Sequence, residues 1–192
     1  MREIIQKILD ESIDVKSRSI QKNIDRIISG ADRIATCLAA GHKILIFGNG
    51  GSAADAQHIT AEFVNRFKIE RPPLAAIALT TDTSIITSIG NDYQFDDIFA
   101  KQVYALGKKG DIAWGISTSG NSTNVIEGVK AAKKNEIFSL GMTGRGGRLA
   151  KLADLTFRVE SDTTARIQEV HITLGHILCH LVDRTLFPDQ FK

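Results

Sequence analysis

His58 and Glu62 stand four residues apart in the segment Asp55-Ala56-Gln57-His58-Ile59-Thr60-Ala61-Glu62, so on a helix their side chains share a face. That spacing suits two ligands of one metal ion, a carboxylate base held by an imidazole, or a plain surface ion pair. A second cluster is Ile116-Ser117-Thr118-Ser119-Gly120-Asn121-Ser122-Thr123, with five hydroxyls and a glycine. Its hydroxyls, its backbone N–H groups and the start of a following helix can together hold a phosphate dianion, and a monophosphate ester suits them. No lysine is present, which excludes a Walker A loop. A helix cap at Ser122 or Thr123 needs only one of these hydroxyls and leaves the others without a task. The third candidate, Phe47-Gly48-Asn49-Gly50-Gly51-Ser52-Ala53, can turn N–H groups toward a ligand, or be a tight turn and nothing more. Gly48, Gly50 and Ala53 fit a dinucleotide fingerprint, but the acid this requires about 20 residues on falls at Glu70, beside Pro72 and Pro73 in an expected loop. That disfavours a dinucleotide.

The elements that position these residues follow from hydrophobic spacing. Between Ile4 and Leu38 apolar residues recur at helical intervals, giving one or two long amphipathic helices over residues 1–40, closed by Gly41. The pattern then changes to short runs that are apolar throughout, at 44–47, 74–79, 112–116, 137–140 and 155–159. Helical stretches are expected at 53–63, 83–89, 95–106, 125–134 and 164–186. Strands buried on both faces and alternating with helices form a parallel sheet, so the expected fold is α/β, a three-layer αβα sandwich of five strands. Ligands of such sheets bind beyond the carboxyl ends of the strands, where the glycine and hydroxyl loops lie. No repeat, low-complexity segment or linker divides residues 1–192, which read as one domain.

The last expected helix carries a core stripe of Ile167, Val170, Leu174, Ile177, Leu178, Leu181 and Val182. Gln168, Ile172, Gly175, His176 and Cys179 lie to its flank. Ile, Gly and Cys there imply a second covered surface, expected to be a subunit contact with Gln168 and His176 facing a polar pocket within it. By angle, His171 is a structural histidine, whereas His42 and His180 read as surface residues.

Composition narrows the classes. Of 192 residues 43% are hydrophobic, enough for a full core. Lys+Arg at 24 against Asp+Glu at 22, with no long run of one sign, argues against a nucleic-acid or membrane-surface binder. Cys37 and Cys179 lack CxxC spacing, so neither a disulfide framework nor a thiolate zinc site is expected, and a reducing, cytoplasmic setting fits. The first residues lack a secretory apolar core, and no stretch approaches the roughly 18 apolar residues of a membrane span.

Taken together, the glycine loop, Asn91-Asp92 in an expected turn, residues 116–122 and Arg166-Ile167-Gln168-Glu169 resemble the sugar isomerase (SIS) domain of the phosphoheptose isomerase family, over nearly the whole chain. The resemblance implies conversion of D-sedoheptulose 7-phosphate to D-glycero-D-manno-heptose 7-phosphate for lipopolysaccharide heptose, by a cytoplasmic homotetramer with active sites between subunits. It implies Glu62 as the base moving a proton between C1 and C2, and His176 as the partnering acid. Ser117, Thr118, Ser119 and Ser122 would hold the phosphate. Asn49, Gly50, Gly51, Ser52 and Gln168 would line the sugar site, bordered by Asn91 and Asp92. Some family members bind one zinc ion per subunit at the positions that here read His58, Glu62, Gln168 and His176. The chain also resembles an SIS-family binding protein that associates with the bacterial replication initiator, around Asn65-Arg66-Phe67, Glu70-Arg71-Pro72 and residues 100–111 and 181–188. The counterparts of Glu62 and His176 are not catalytic in that protein, and their presence here favours the enzyme.

Overall fold

The runs that are apolar throughout become central strands because helices cover the sheet on both faces. In the computed structural model, which describes residues 1–191, the elements are Arg2–Ala39 (α1), Ile44–Gly48 (β1), Gly51–Val64 (α2), Ala76–Ala78 (β2), Thr83–Asp92 (α3) and Ile98–Leu106 (α4). Then follow Ile112–Ser117 (β3), Thr123–Lys134 (α5), Phe138–Thr143 (β4), Arg148–Leu152 (α6), Leu155–Arg158 (β5) and Thr164–Leu186 (α7), with 3-10 turns at Phe95–Asp97 and Pro188–Phe191. Lys192, the end of the expected unit, lies outside the described residues. All five strands are parallel, in the order β2-β1-β3-β4-β5. The α/β three-layer fold is therefore as expected, with α1, α2 and α7 on one face and α3 to α6 on the other.

The strand order reverses between β1 and β3, where consecutive crossovers leave in opposite directions and a crevice opens beyond the strand ends. The register pairs Gly48 with Ile116, so the glycine loop after β1 and the hydroxyl loop after β3 leave the sheet side by side at that crevice.

Helix α1 is one unbroken helix of 38 residues. Its buried positions Val15, Ser19, Asn23, Ile27, Ala31, Ile34 and Leu38 recur every three or four residues, the spacing of a single helical face. Asn23 closes the outer edge of the sheet. Its Nδ2 donates to the Arg158 carbonyl at 2.9 Å and its Oδ1 accepts from the Arg158 N–H at 3.3 Å, so a side chain takes the place of a sixth strand. The same helix leaves Ile4, Ile5, Ile8, Leu9, Ile13, Ile24 and Ile28 exposed.

His171 is fully buried, as the angular reading expects, and its Nε2–H donates to the Thr143 carbonyl at 3.2 Å. Burial pushes its pKa down to about 4, so the folded protein holds the ring neutral. Between that value and the unfolded value of about 6.5 only the unfolded chain takes up this proton. This contribution to stability is complete above the unfolded value and declines as pH falls toward 4, with a slope of up to about 1.4 kcal/mol per pH unit. Urea midpoints of the parent and of His171→Gln, measured between pH 7 and 5, should show a shallower decline in the variant; equal slopes would refute this origin.

Candidate active site

Helices α2 and α7 both start beyond carboxyl ends of strands, and their close approach builds the first cluster. Gly175 permits it, since a Cβ there would lie 2.7 Å from Ile59 Cδ1. At the adjoining residue of each helix, one before Ile59 and one after Gly175, His58 Nε2 and His176 Nε2 come within 2.9 Å, and His58 Nε2 lies 3.2 Å from Glu62 Oε1. One ligand atom from each of His58, Glu62 and His176 falls within 4.8 Å of the others. His58 is exposed and the other two are partly buried, which leaves a rim open to a ligand. Burial, followed by the nearby His58, lowers the His176 pKa, while Glu62 pulls it the other way. A neutral ring there can donate to a substrate oxygen or ligate a metal ion. One turn before His58, burial raises the Asp55 carboxyl to about 6, against a smaller opposing effect of His58, and its Oδ2 has no hydrogen-bond partner. A perturbed acid beside an imidazole pair is what functional clefts collect.

The hydroxyl loop is the second part. Ser122 occupies the N-cap position of α5 without making a side-chain cap bond. Its Oγ lies 2.9 Å from Ser117 Oγ, and Ser119 Oγ lies 3.4 Å from the same atom. The capping explanation therefore fails, and three serine hydroxyls gather around the N-terminus of α5. Gly120, at φ +66°, allows the tight packing of this loop on Gly146, whose carbonyl leaves no room for a Cβ. Thr118 and Ser119 border a cleft of about 330 Å³ with Arg145, Ser161 and Thr164. The glycine loop is tied to this region by reciprocal amide bonds between Asn49 and Asn124 at 2.8 and 2.9 Å. Gly50 and Gly51 are exposed at the start of α2, and Ser52 is buried beneath them.

Several expected placements change. Gln168 does not join the His58, Glu62 and His176 group within one subunit. Its amide packs against Gly51, and it precedes His176 by two helical turns, about 12 Å along the axis. Asn91 and Asp92 form no turn; they close α3, exposed on the opposite sheet face, with Asn91 Nδ2 donating to Asp92 Oδ1. The Gly175 and Cys179 flank of α7, expected to meet another subunit, is buried within this chain, with Gly175 against α2. His180 is not a simple surface residue, since it sits between the rings of Phe67 and Phe191. His42 Nδ1 lies 3.6 Å from the buried Asp111. Glu70 lies in the loop before β2 and pairs with Arg66, which removes the acid a dinucleotide site requires.

Two contributors escaped the sequence reading. Arg145 brings a cation to the hydroxyl-loop cleft, and the Gly144-Arg145-Gly146-Gly147 segment after β4 was its available signal. Arg71 donates to the carbonyls of Glu62 and Phe63 in the last turn of α2 and pairs with Asp183 of α7 at 2.9 Å. Nothing in its local sequence announces that role, because its partner lies 112 residues away.

Comparison with known proteins places this geometry. The SIS domain family matches residues 8–144. The chain is 57% identical over 189 residues to the phosphoheptose isomerase of Nitratidesulfovibrio vulgaris strain Hildenborough, covering 98% of this chain and 91% of that protein. It is 56% identical to the phosphoheptose isomerase of Aquifex aeolicus, covering 95% and 96%. Among solved structures, phosphoheptose isomerase GmhA from Neisseria gonorrhoeae superposes with a TM-score of 0.90 at 47% identity, covering 95% of this chain and 98% of that one.

Proposed function

The chain belongs to the SIS domain family and, within it, to the phosphoheptose isomerases, and from that premise we propose how its residues carry out the reaction. It is an aldose-ketose isomerase that converts D-sedoheptulose 7-phosphate to D-glycero-D-manno-heptose 7-phosphate for heptose biosynthesis. The observation that carries the mechanism is the convergence of His58, Glu62 and His176 on one point between α2 and α7. The Glu62 carboxylate removes a proton from C1 of the ketose as the C2 carbonyl oxygen takes one from His176, which yields the enediol. The O1 proton then returns to the imidazole, and Glu62 delivers its proton to C2, which forms the C1 aldehyde. Neither residue is consumed, and no net proton enters or leaves.

The neighbouring elements serve binding. Ser117, Thr118, Ser119 and Ser122 hold the phosphate at the N-terminus of α5, where unpaired N–H groups favour an anion. Asn49, Gly50, Gly51 and Ser52 line the sugar site, with Gln168 at its edge against Gly51. Asn91 and Asp92 border a sugar only across a subunit boundary, a role that goes with sites formed between the subunits of a homotetramer. The exposed isoleucines of α1 support such an assembly, since an uncovered apolar stripe of this length is unusual in a monomer. In this reading residues 1–40 pack on both their own sheet domain and neighbouring subunits. Two free, buried cysteines fit a cytoplasmic setting, and among the described residues no helix is long and apolar enough to cross a membrane.

The donor set of two imidazoles and a carboxylate also fits zinc, which His58, Glu62 and His176 would hold. When bound, the ion supplies Lewis-acid polarisation of the sugar oxygens. Incubation with sedoheptulose 7-phosphate, following aldose formation before and after chelation, tests both parts. Turnover is expected, and activity that is lost on chelation and restored by zinc supports the ion; no aldose under any condition would overturn the isomerase reading. Replacing Ser119 and Ser122 together by Ala should raise KM about 10- to 100-fold, as roughly two charge-assisted hydrogen bonds are lost. An unchanged KM would place the phosphate elsewhere.

A further inference from the structure

Five aromatic rings stand in series from the reacting centre to the C-terminal turn. His58 and His176 have ring centroids 5.1 Å apart. Phe67 stacks on His176 at 5.4 Å and an interplanar angle of 23°. His180 meets Phe67 edge-on at 6.4 Å and 69°, and Phe191 meets His180 at 5.5 Å and 85°. Arg184 fixes the outer end, with its guanidinium 4.5 Å from the Phe191 centroid and its Nε donating to His180 Nε2 at 3.2 Å. Phe67 lies in the loop after α2, and Phe191 closes the turn Pro188–Phe191.

We propose that Phe67 is a positioning residue that fixes the plane of the His176 ring, and that the C-terminal turn holds Phe67 in place through Phe191 and His180. The proposal rests on the reading of Glu62 and His176 as the proton-transfer pair. A histidine ring turns in a broad, shallow torsional well about its last side-chain bond, and the contact with His58 restrains one ring atom without fixing the plane. An offset stack supplies the missing restraint, because the ring faces separate if the imidazole turns. Phe67 itself belongs to no helix or strand that would hold it. It packs against the core cluster between the sheet and α1, α2 and α7, and its ring is braced further by the edge of His180, which is pressed in turn by Phe191 and tethered by Arg184. A proton donor misplaced by about 1 Å can cost two orders of magnitude in rate, so the series links the end of the chain to the chemistry.

Phe67→Leu removes the ring and keeps an apolar side chain, whereas Phe67→Tyr keeps the ring. The leucine variant should lose about 10- to 100-fold in kcat with KM changed by no more than about threefold, and the tyrosine variant should recover to within about threefold of the parent. Phe191→Leu, remote from substrate, should lower kcat in the same direction by less. In the protein without substrate, the His176 ring-proton NMR signals carry the ring-current shift of the stacked Phe67. That shift should vanish in Phe67→Leu and persist in Phe67→Tyr. If Phe67→Leu keeps both the parent kcat and the parent His176 shifts, the proposal fails; should that variant not fold, the same comparison on Phe191→Leu decides it. A parent protein inactive on sedoheptulose 7-phosphate overturns the isomerase reading instead, and the NMR comparison still decides whether Phe67 sets the ring.

Discussion

Glu62→Gln should reduce kcat by about 100- to 10,000-fold while leaving the dissociation constant for sedoheptulose 7-phosphate within a few-fold of the parent. The amide has the shape of the carboxylate and can still accept from His58, which lies 3.2 Å from Glu62 Oε1, so α2 and α7 have no cause to move apart. What it cannot do is take a proton from carbon. Binding should persist because the phosphate and most sugar contacts are assigned to other loops. Kinetics give the first quantity and titration calorimetry the second. A variant that turns over at the parent rate removes Glu62 from the mechanism, whereas one that loses binding and turnover together makes Glu62 a binding group. Glu62→Asp should fall between the two, because its carboxylate is withdrawn by one methylene from both His58 and the substrate.

How much of this was readable in advance follows the range of the interactions involved. The sheet was legible because burial on both faces leaves an unbroken apolar run, and α7 was delimited correctly because its stripe is continuous from Ile167 to Val182. The expected fourth strand stopped at Leu140 because Gly141 and Thr143 interrupt the run, yet β4 continues to Thr143, whose hydroxyl finds the Gly144 carbonyl. The expected second strand was too long for a different reason. It lies at the sheet edge, and the Leu74 N–H bonds to the Phe63 carbonyl of α2 instead of joining the ladder. Helix α6, at five residues, is too short to display a period.

The candidate site was legible where it depends on one helix or one loop. His58 with Glu62 is a four-residue spacing, and the three serines at and after the end of β3 fall within six residues. Periodicity says at what angle a side chain leaves its helix, but not what covers that angle. The flank of Gly175 and Cys179 was correctly read as covered, and wrongly as covered by another subunit, because no local pattern distinguishes α2 from a foreign surface. Gln168 shares a flank with His176, yet distance along the axis separates them, and an angular reading ignores the axis. The aromatic series from Phe67 to Phe191 was invisible for the same reason.

Arg71→Ala should destabilise the folded protein by about 3–5 kcal/mol, the cost of leaving a buried charge without its partner. The Arg71 and Asp183 side chains are each only 1% exposed, so water cannot take over the lost contact. The guanidinium also serves the end of α2. It donates to the carbonyls of Glu62 at 2.8 Å, Phe63 at 2.7 Å and Asn65 at 3.2 Å, which lie at the end of α2 where helical N–H donors run out; the Phe63 carbonyl also accepts from the Leu74 N–H. One side chain thus ties the last turn of the helix bearing His58 and Glu62 to the helix bearing His176. Urea unfolding followed by circular dichroism measures the loss, and a midpoint within 0.5 kcal/mol of the parent, roughly the scatter of ordinary surface substitutions, would sink the argument. Arg71→Met with Asp183→Leu removes both charges at once and should recover much of the stability. It cannot restore the three carbonyl contacts, so α2 should remain frayed at its end. The double variant should therefore be more stable than Arg71→Ala and still poor in turnover, which separates the electrostatic cost of the single change from the loss of the clamp that brings the acid and the imidazole together.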